Sequence, residues 1–333
     1  MERVLVTGGT GFLGKYVIEE LVGNGYSVVT IGRNREEGDI LNSAKVKFIR
    51  CDFTNLEDLE SVFKKYKFDY VVHAGAMSTV WGRWKEFYKA NVLGTENVAA
   101  LSLKYKVQRL IYISSPSIYT EKFDRFNILE TDYRKDNKAN YYIRTKILSE
   151  EVIGHFAKKG LYNVIIRPRG LFGIGDTSVI PRLLKANYER GIPLVDGGKN
   201  YIDITCVENV AYAIRLCIEK DDINNEVFNI TNGEPDRFKN IIDSFFEKMG
   251  ETPNYINLSF YKLYFIASIL ELFYKLFRIY KEPFVTKYSA CILGKSQTMN
   301  IEKASTELGY KPIMSMEEGI IKYVNDRQKS RDV

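Results

Sequence analysis

A tyrosine and a lysine four positions apart are the residues of this chain best suited to proton transfer. Tyr142 and Lys146 lie near the start of a predicted helix, where this spacing places both side chains on one face. Among the 23 tyrosines of the sequence, only Tyr142 has a lysine four positions further on. A free tyrosine titrates near pH ~10, which is too high for a base at neutral pH. We therefore expect the ammonium group of Lys146 to lower the pKa of Tyr142 towards neutrality.

Two serines complete the candidate reaction centre. Ser114 and Ser115 follow an apolar strand predicted at 110–113, at the carboxyl edge where open α/β sheets bind their ligands. A serine hydroxyl at that edge can hold the oxygen of a carbonyl or an alcohol. Because a Tyr/Lys spacing also arises by chance in a tyrosine-rich chain, its position after this strand is the stronger argument. The predicted catalytic residues are Ser115, Tyr142 and Lys146.

A glycine-rich segment near the N-terminus predicts a dinucleotide-binding loop. Three glycines with GxxGxxG spacing follow the first apolar strand and open the first helix. Glycine allows a pyrophosphate to approach the backbone closely, and the amino end of the helix supplies N–H groups and a positive dipole. The strand–loop–helix order makes a turn without a ligand the weaker interpretation. The residues predicted to contact the pyrophosphate are Gly8, Gly11, Phe12, Leu13 and Gly14.

The end of the second predicted strand bears on the choice between NAD(H) and NADP(H). An acidic residue there would hold the ribose 2′-hydroxyl of NAD(H), whereas this chain has Gly32 followed by Arg33. A guanidinium group suits a 2′-phosphate, so NADP(H) is favoured and NAD(H) is the alternative. In the competing interpretation, Arg33 is an ordinary exposed arginine. Asp52 and Phe53, after the third strand, are predicted to flank the adenine.

The elements that position these residues alternate between short apolar strands and helices. This order predicts an α/β fold, a Rossmann-type doubly wound parallel sheet with a smaller, mostly helical C-terminal substrate domain. We place the dinucleotide-binding domain at 1–167 and the substrate domain at 168–333, with a strand near 227–231 returning to the sheet. The spacing of Thr54 and Glu57 predicts a capping box at the start of the helix after the third strand. The predicted strands are 4–6, 28–31, 46–49, 70–73, 110–113, 164–166 and 227–230, with helices near 87–105 and 142–158.

Composition argues against several other classes of function. The net charge of +6 comes from lysines and arginines scattered among acidic residues, so no nucleic-acid footprint is visible. The four cysteines form no CxxC pair and the chain has only two histidines, so the sequence predicts no metal site, disulfide framework or Ser-His-Asp triad. The first residues lead directly into a strand without a leader pattern, so we expect a cytoplasmic protein.

Six short motifs carry a family resemblance: TGGTGFLG at 7–14, HAGA at 73–76, ANVLGT at 90–95, ISS at 113–115, YIRTK at 142–146 and Arg167-Pro168. Together they resemble the extended short-chain dehydrogenases/reductases over nearly the whole chain. The resemblance implies a nicotinamide-dependent enzyme in which Ser115, Tyr142 and Lys146 are the catalytic triad. It also implies a symmetric dimer, paired through the helices near 87–105 and 142–158. Further residues implied to lie at the cofactor are Ala74, Gly75, Ala76, Asn91, Ser114, Tyr142, Lys146 and Pro168.

Within that family, the closer likeness is to the 3β-hydroxysteroid dehydrogenase group, which includes sterol-4-carboxylate 3-dehydrogenases and reductases of 2-alkyl-3-oxo acids. The 80–82 and 198–210 segments resemble that group, although Cys206 stands where Tyr or Phe is common. Nucleotide-sugar epimerases usually carry Asn at the position of Gly170 and Arg-Asp-Phe at 202–204, where this chain has Ile-Asp-Ile. The resemblance implies an NAD(P)-dependent oxidoreductase that interconverts a secondary alcohol and a ketone on a bulky apolar 3-hydroxy or 3-oxo substrate. The alternatives are a nucleotide-sugar epimerase or dehydratase and, less favoured, a non-catalytic dinucleotide-binding scaffold.

An aromatic, apolar segment at 260–280 lies in the predicted substrate domain. Its charged residues, Lys262, Glu271, Lys275 and Arg278, interrupt it too often for a membrane span of about 20 residues. Three interpretations remain: a core or interface helix, which we favour, a wall or lid over an apolar substrate, and a helix resting on a membrane surface. Peripheral membrane contact is thus compatible with the expected apolar substrate.

Overall fold

The computed structural model describes residues 1–331. In that part of the chain the strands are β1 (Arg3–Thr7), β2 (Ser27–Gly32), β3 (Val46–Arg50), β4 (Tyr70–His73), β5 (Arg109–Ile113), β6 (Arg125–Ile128), β7 (Asn163–Pro168), β8 (Leu171–Phe172), β9 (Ile192–Val195), β10 (Tyr201–Ile202), β11 (Thr205–Cys206), β12 (Glu226–Ile230), β13 (Asp236–Arg237), β14 (Tyr255–Leu258) and β15 (Gln297–Met299). The α-helices are α1 (Phe12–Gly23), α2 (Arg35–Asp39), α3 (Leu56–Lys65), α4 (Trp84–Phe87), α5 (Gly94–Lys104), α6 (Tyr141–Ala157), α7 (Val179–Glu189), α8 (Val207–Glu219), α9 (Phe238–Lys248), α10 (Phe260–Leu276), α11 (Lys287–Gly294), α12 (Glu302–Glu307) and α13 (Met316–Arg331). A π-helix spans Tyr88–Leu93 between α4 and α5, and short 3₁₀ turns cover Pro116–Tyr119 and Asp196–Gly198.

Seven parallel strands form the central sheet in the order β12-β7-β5-β4-β1-β2-β3. Val4 and Val6 of β1 belong to an apolar cluster that includes side chains of α1 and α8, whereas Leu5 belongs to a cluster with α3 and α5. Successive side chains of a strand point to opposite faces, so a sheet covered on both faces needs apolar residues at every position. Because of this requirement, the strands appear in the sequence as unbroken apolar runs and could be predicted from it. The predicted doubly wound Rossmann-type fold is confirmed.

The C-terminal part contains small sheets as well as helices. β6, β10, β13 and β15 form a four-stranded sheet, while β8 pairs with β11 and β9 pairs with β14. Each of these strands has only two to four residues, too few to show a period of two, so the sequence indicated mostly helix there. β12 pairs in parallel with β7 and forms the edge of the central sheet.

The helix after β3 begins one residue later than the sequence indicated. The side-chain oxygen of Asn55 accepts hydrogen bonds from the backbone N–H groups of Glu57 and Asp58, at 3.1 and 3.3 Å. Thr54 instead donates its hydroxyl to Asp52 at 2.8 Å. The predicted capping box of Thr54 and Glu57 is therefore wrong. Asparagine is at least as good an N-cap as threonine, and Asp52 competes for the threonine hydroxyl.

A buried ion pair fixes α6 against the sheet. Arg167 on β7 is 1% exposed and donates to both carboxylate oxygens of Glu150 on α6, at 2.9 and 2.6 Å. The hydroxyl of Ser114 donates to the same carboxylate, and Arg167 also donates to the hydroxyl of Tyr119. Because Glu150 lies one helical turn after Lys146, this network sets the position of the predicted catalytic residues relative to β5 and β7.

Candidate active site

The glycine loop brings backbone atoms closer together than side chains would allow. Gly8 has a φ of +74°, and a Cβ atom there would lie 2.9 Å from the backbone of Gly75. A Cβ atom at Gly14 would lie 2.2 Å from the carbonyl oxygen of Gly8, which accepts a hydrogen bond from the Gly11 N–H at 2.9 Å. Gly11 is the N-cap of α1 and offers no side-chain acceptor to the first N–H groups of that helix. This loop fits a pyrophosphate, which those N–H groups and the helix dipole would hold.

A chain of buried hydrogen bonds holds the segment after β4. The hydroxyl of Thr7 is hydrogen-bonded to Nδ1 of His73 at 2.7 Å and accepts from the Gly75 N–H at 3.1 Å. Nε2 of His73 is hydrogen-bonded to the Thr95 hydroxyl at 3.1 Å. Burial lowers the pKa of His73 to about 3, so the imidazole is neutral. The network keeps the 74–76 segment beside the glycine loop, where the sequence placed it.

Asn91 lies in the π-helix and connects three elements. Its side-chain oxygen accepts from the Met77 N–H at 2.7 Å, and its amide group donates to the Met77 carbonyl and to the Thr145 hydroxyl, both at 3.0 Å. Thr145 lies on α6 between Tyr142 and Lys146. Asn91 therefore ties the loop after β4 to the helix that carries the predicted catalytic residues. Single π-helical turns are frequent at functional sites.

Ser115 and Tyr142 meet at the carboxyl end of β5. Ser115 is 8% exposed, lies close to Tyr142 and donates its hydroxyl to Ser117 at 3.0 Å. The Ser117 hydroxyl is in turn hydrogen-bonded to Tyr288 on α11 at 2.8 Å. Burial raises the pKa of Tyr142 to about 12, although the nearby Ser115 opposes this shift. The expected lowering of the Tyr142 pKa is therefore wrong for the chain alone, because burial is the larger effect.

Lys146 lies on the same face of α6 but has partners of its own. Its ammonium group donates to the carbonyl oxygen of Ile113 at 2.7 Å and to the hydroxyl of Tyr112 at 3.2 Å. Lys146 is 3% exposed, and burial lowers its pKa to about 7 against the opposing effect of Glu150. A lysine that is partly neutral and bonded to β5 gives Tyr142 little electrostatic help, which explains the direction of the tyrosine shift.

The residues predicted for the adenosine end lie at neighbouring strand ends. Arg33 is exposed directly after β2, and Asp52 is half-buried after β3. The ring of Phe53 packs against two glycines, since a Cβ atom at Gly75 or Gly94 would lie 2.6 or 2.4 Å from it. Phe53 therefore supports the loop after β4, and Arg33 offers the more accessible side chain to a ligand.

The other predicted cofactor residues lie at the same edge of the sheet. Phe12 and Leu13 form the first turn of α1. Pro168 is the buried last residue of β7, paired with the end of β12. Ser114 directs its hydroxyl to the carboxylate of Glu150, so its side chain serves to position α6.

A cleft of about 340 Å³ opens beside these residues. Trp81 donates from Nε1 to the carbonyl oxygen of Ile279 at 3.0 Å, and its ring meets that of Tyr274 edge to face with centroids 6.1 Å apart. Tyr288, the partner of Ser117, also lines the cleft. The cleft thus has aromatic walls, partly from α10, and the hydroxyl of Tyr288 connects it to the turn after β5.

Sequence reasoning missed three side chains of this site. Ser117 was within reach of prediction, because it lies two residues after Ser115 on the same turn. Arg169 directly follows the Arg167-Pro168 motif and is buried, a position that the motif alone did not mark. Tyr288 comes from α11, far along the chain, and no local pattern indicated its place.

Comparison with known proteins places the chain among similar enzymes. A model of the NAD dependent epimerase/dehydratase family matches residues 4–231. The 2-alkyl-3-oxoalkanoate reductase of Stenotrophomonas maltophilia is 32% identical, with 96% of this chain and 97% of the relative covered. The decarboxylating sterol-4-alpha-carboxylate 3-dehydrogenase of Dictyostelium discoideum is 29% identical, with 96% and 99% covered. A solved UDP-glucose 4-epimerase of Thermotoga maritima, in complex with UDP-glucose, has a similar fold, with a TM-score of 0.78, 24% identity and 99% of both chains covered. These matches confirm the resemblance that the motifs carried.

Replacing Lys146 by methionine should change how stability depends on pH. Because burial lowers the pKa of Lys146 to about 7, the folded protein binds fewer protons than the unfolded chain between pH 7 and the ordinary lysine pKa of ~10.5. The free energy of unfolding of the wild type therefore rises with pH in this window, relative to Lys146→Met. In denaturant titrations, the free energy of unfolding of the wild type should rise by about 3 kcal/mol relative to that of Lys146→Met between pH 7 and roughly pH 9.5.

Lys135→Met is the matched control, because Lys135 is exposed. It should show no such trend. If the difference in free energy of unfolding between Lys146→Met and the wild type stays constant across this range, Lys146 keeps an ordinary pKa in the folded protein.

Proposed function

We propose, from the premise that this chain belongs to the NAD dependent epimerase/dehydratase family, that it interconverts a secondary alcohol and a ketone with NAD(P) as cofactor. Its substrate is a 3-hydroxy or 3-oxo compound with a bulky apolar body, such as a sterol or a long-chain 3-oxo acid. The observation that carries this proposal is the proximity of Ser115 and Tyr142 at the end of β5, beside an aromatic cleft whose Tyr288 is hydrogen-bonded to Ser117. The names of the relatives, a reductase of 2-alkyl-3-oxoalkanoates and a sterol-4-alpha-carboxylate dehydrogenase, support the same substrate class.

The residues around Tyr142 account for the oxygen and the proton of this reaction. Ser115 holds the substrate oxygen by a hydrogen bond, while Tyr142 donates a proton to that oxygen in reduction and removes it in oxidation. Bound NAD(P) supplies or accepts the hydride at the carbon that carries this oxygen. The glycine loop and Lys146 would hold the cofactor.

A nucleotide-sugar epimerase or dehydratase is the alternative on the same scaffold, and the similar solved structure holds UDP-glucose. Two features weigh against it. Gly170 offers no side-chain amide, and a Cβ atom there would lie 3.0 Å from the Asp203 carbonyl oxygen, so a side chain at this position would require a shift of that backbone. Ile202 packs against an apolar cluster and offers no charge to a diphosphate. A non-catalytic scaffold explains neither the Ser115–Tyr142 pair nor the buried Lys146.

Tyr142→Phe tests the proposed acid/base. The change removes the transferable proton and little volume, so turnover of a 3-oxo substrate should fall by at least about 100-fold, while cofactor affinity stays within a few-fold. Steady-state kinetics and a fluorescence titration with the cofactor measure the two quantities. Tyr162→Phe, at an exposed position ahead of β7, is the control and should keep full turnover. Nearly normal turnover by Tyr142→Phe would reject Tyr142 as the proton donor.

We propose NADP(H) as the preferred cofactor, because the exposed guanidinium group of Arg33 follows β2. Arg33→Ala should weaken NADP(H) binding at least about 10-fold more than NAD(H) binding, since only NADP(H) carries a 2′-phosphate. Arg35→Ala, two residues further on, shows whether the effect belongs to Arg33. Equal losses for both cofactors, or tighter binding of NAD(H) by the wild type, would contradict the preference.

Three expectations drawn from the sequence and its family resemblance complete the proposal. The chain forms a symmetric dimer through the helices near 87–105 and 142–158. Residues 168–333 supply most of the substrate side of the cleft, and the first 167 residues supply the cofactor side. The protein acts in the cytoplasm, and peripheral contact with a membrane surface is compatible with its apolar substrate.

The membrane contact is proposed from the exposed face of α10. Tyr261, Phe265, Leu272 and Leu276 share one side of this helix and are 66–79% exposed. Only four residues of α10 are buried, so it is not a core helix, and an interface helix remains the alternative to a membrane-surface helix. No helix within residues 1–331 is long and apolar enough to cross a membrane.

The charges on this segment specify the surface that it fits. Lys262, Lys275, Arg278 and Lys281 are exposed, whereas Glu271 is 4% exposed and pairs with Lys275 at 3.5 Å. Exposed apolar side chains flanked by cations match the surface of a bilayer that contains anionic lipid. The end of the same helix lines the cleft, so an apolar substrate can enter from the bilayer.

Vesicle sedimentation tests this surface. The wild type should sediment with vesicles of phosphatidylcholine and phosphatidylserine, and the double variant Phe265→Asp/Leu272→Asp should not, because charges replace the inserted side chains. Phe123→Asp/Phe126→Asp changes two exposed aromatic residues elsewhere and should bind normally. A wild type that stays in solution would overturn the proposal. So would light scattering in which the α10 variant changes from dimer to monomer, because α10 would then be a protein interface.

A further inference from the structure

Arg169 is a buried arginine whose guanidinium group lacks a hydrogen-bonded or ionic partner. It follows β7 directly and is 7% exposed. The two other buried arginines of the described chain have partners, although Nε of Arg109 has none. Arg167 binds Glu150 through two nitrogens, and Arg109 donates three hydrogen bonds to carbonyl oxygens at 2.6–3.0 Å. Within residues 1–331, no hydrogen bond or ion pair joins the side chain of Arg169 to another residue.

This guanidinium group lies on the substrate side of the candidate active site. The groups that act on it electrostatically are Tyr288 and Asp203. Tyr288 lines the cleft and is hydrogen-bonded to Ser117 at 2.8 Å. β7 also pairs in parallel with β5, so Arg169 after β7 and Ser115 after β5 follow the carboxyl ends of neighbouring strands.

Asp203 does not neutralise Arg169. Its carboxylate accepts a hydrogen bond from the Met299 N–H at 2.7 Å and forms no ion pair with Arg169 in the described structure. Burial raises the pKa of Asp203 to about 6, which weakens it as a permanent counter-ion. A buried guanidinium group without an acceptor is costly. An anion that arrives with the substrate would remove that cost.

We propose that Arg169 binds the carboxylate of a 3-oxo or 3-hydroxy acid whose C3 oxygen contacts Ser115 and Tyr142. This inference rests on the proposed function and narrows its substrate from any apolar ketone or alcohol to a β-substituted acid. A single carbon separates C3 from the carboxylate in such a molecule, so both groups must be bound in one small pocket. A guanidinium group binds a carboxylate through two parallel N–H···O bonds, and burial strengthens that pairing.

The relative activity on an acid and on its methyl ester tests this assignment. With the complete enzyme and NADPH, Arg169→Met should lower kcat/KM for a long-chain 3-oxo acid about 100-fold, mainly through KM. Activity on the neutral methyl ester should stay within about 3-fold, and Arg169→Lys should restore part of the loss on the acid. Equal losses on both substrates, or no loss on the acid, would overturn the assignment. If the wild type turned over neither compound, the proposed function itself would fail, and this assignment with it.

A stability measurement separates substrate recognition from a folding defect. Because Arg169 lacks a partner, Arg169→Met should raise the Tm of the protein alone, whereas Arg167→Met should lower it. A fall for Arg169→Met as large as that for Arg167→Met would make Arg169 a structural residue and overturn the proposal. UDP-glucose tests whether Arg169 instead binds the diphosphate of a nucleotide sugar. If UDP-glucose raised the Tm in an Arg169-dependent way and the 3-oxo acid did not, the arginine would belong to a diphosphate site.

Discussion

The ion pair between Glu150 and Arg167 is the constraint on which the rest of the site depends. It joins α6 to β7, and Ser114 at the end of β5 donates to the same carboxylate. Breaking a buried pair of this kind costs about 3–5 kcal/mol, because the remaining charge has no partner. Lys146 lies about one turn, and Tyr142 about two turns, before Glu150 on the same helix. Their position relative to the serine edge of the sheet therefore follows from this contact.

The cations near the site differ in how far the protein itself compensates them. Arg167 is fully paired. Lys146 donates mainly to a backbone carbonyl, and the side chain of Arg169 forms no hydrogen bond or ion pair in the described chain. A cofactor pyrophosphate and a substrate carboxylate are both anionic. The amino end of α1 and the unpaired side chain of Arg169 thus fit the anionic groups of the proposed cofactor and substrate acid.

The sequence predicted those parts of the structure in which a single local requirement dictates the residue type. Buried parallel strands need unbroken apolar runs, the loop before α1 needs glycine, and Tyr142 and Lys146 need a spacing of four. Prediction from the sequence failed where a property depends on how the folded chain buries a side chain. The direction of the Tyr142 pKa shift depends on how much protein surrounds the hydroxyl group. The exposure of α10 also could not be predicted from the sequence, because an aromatic segment has the same composition on a surface as in a core. Tyr288 reaches the site from a distant helix, so no local pattern marks it.

Transfer of deuterium from NADPH that carries deuterium at both C4 positions into a long-chain 3-oxo acid tests the central claim most directly. The account predicts one deuterium at C3 of the 3-hydroxy acid for each cofactor oxidised, because hydride and proton are delivered to the same carbonyl group. Mass spectrometry of the product measures it. Label that stays in the cofactor with every 3-oxo substrate, together with conversion of a nucleotide sugar by enzyme-bound NAD, would contradict the account and assign this chain to the epimerases.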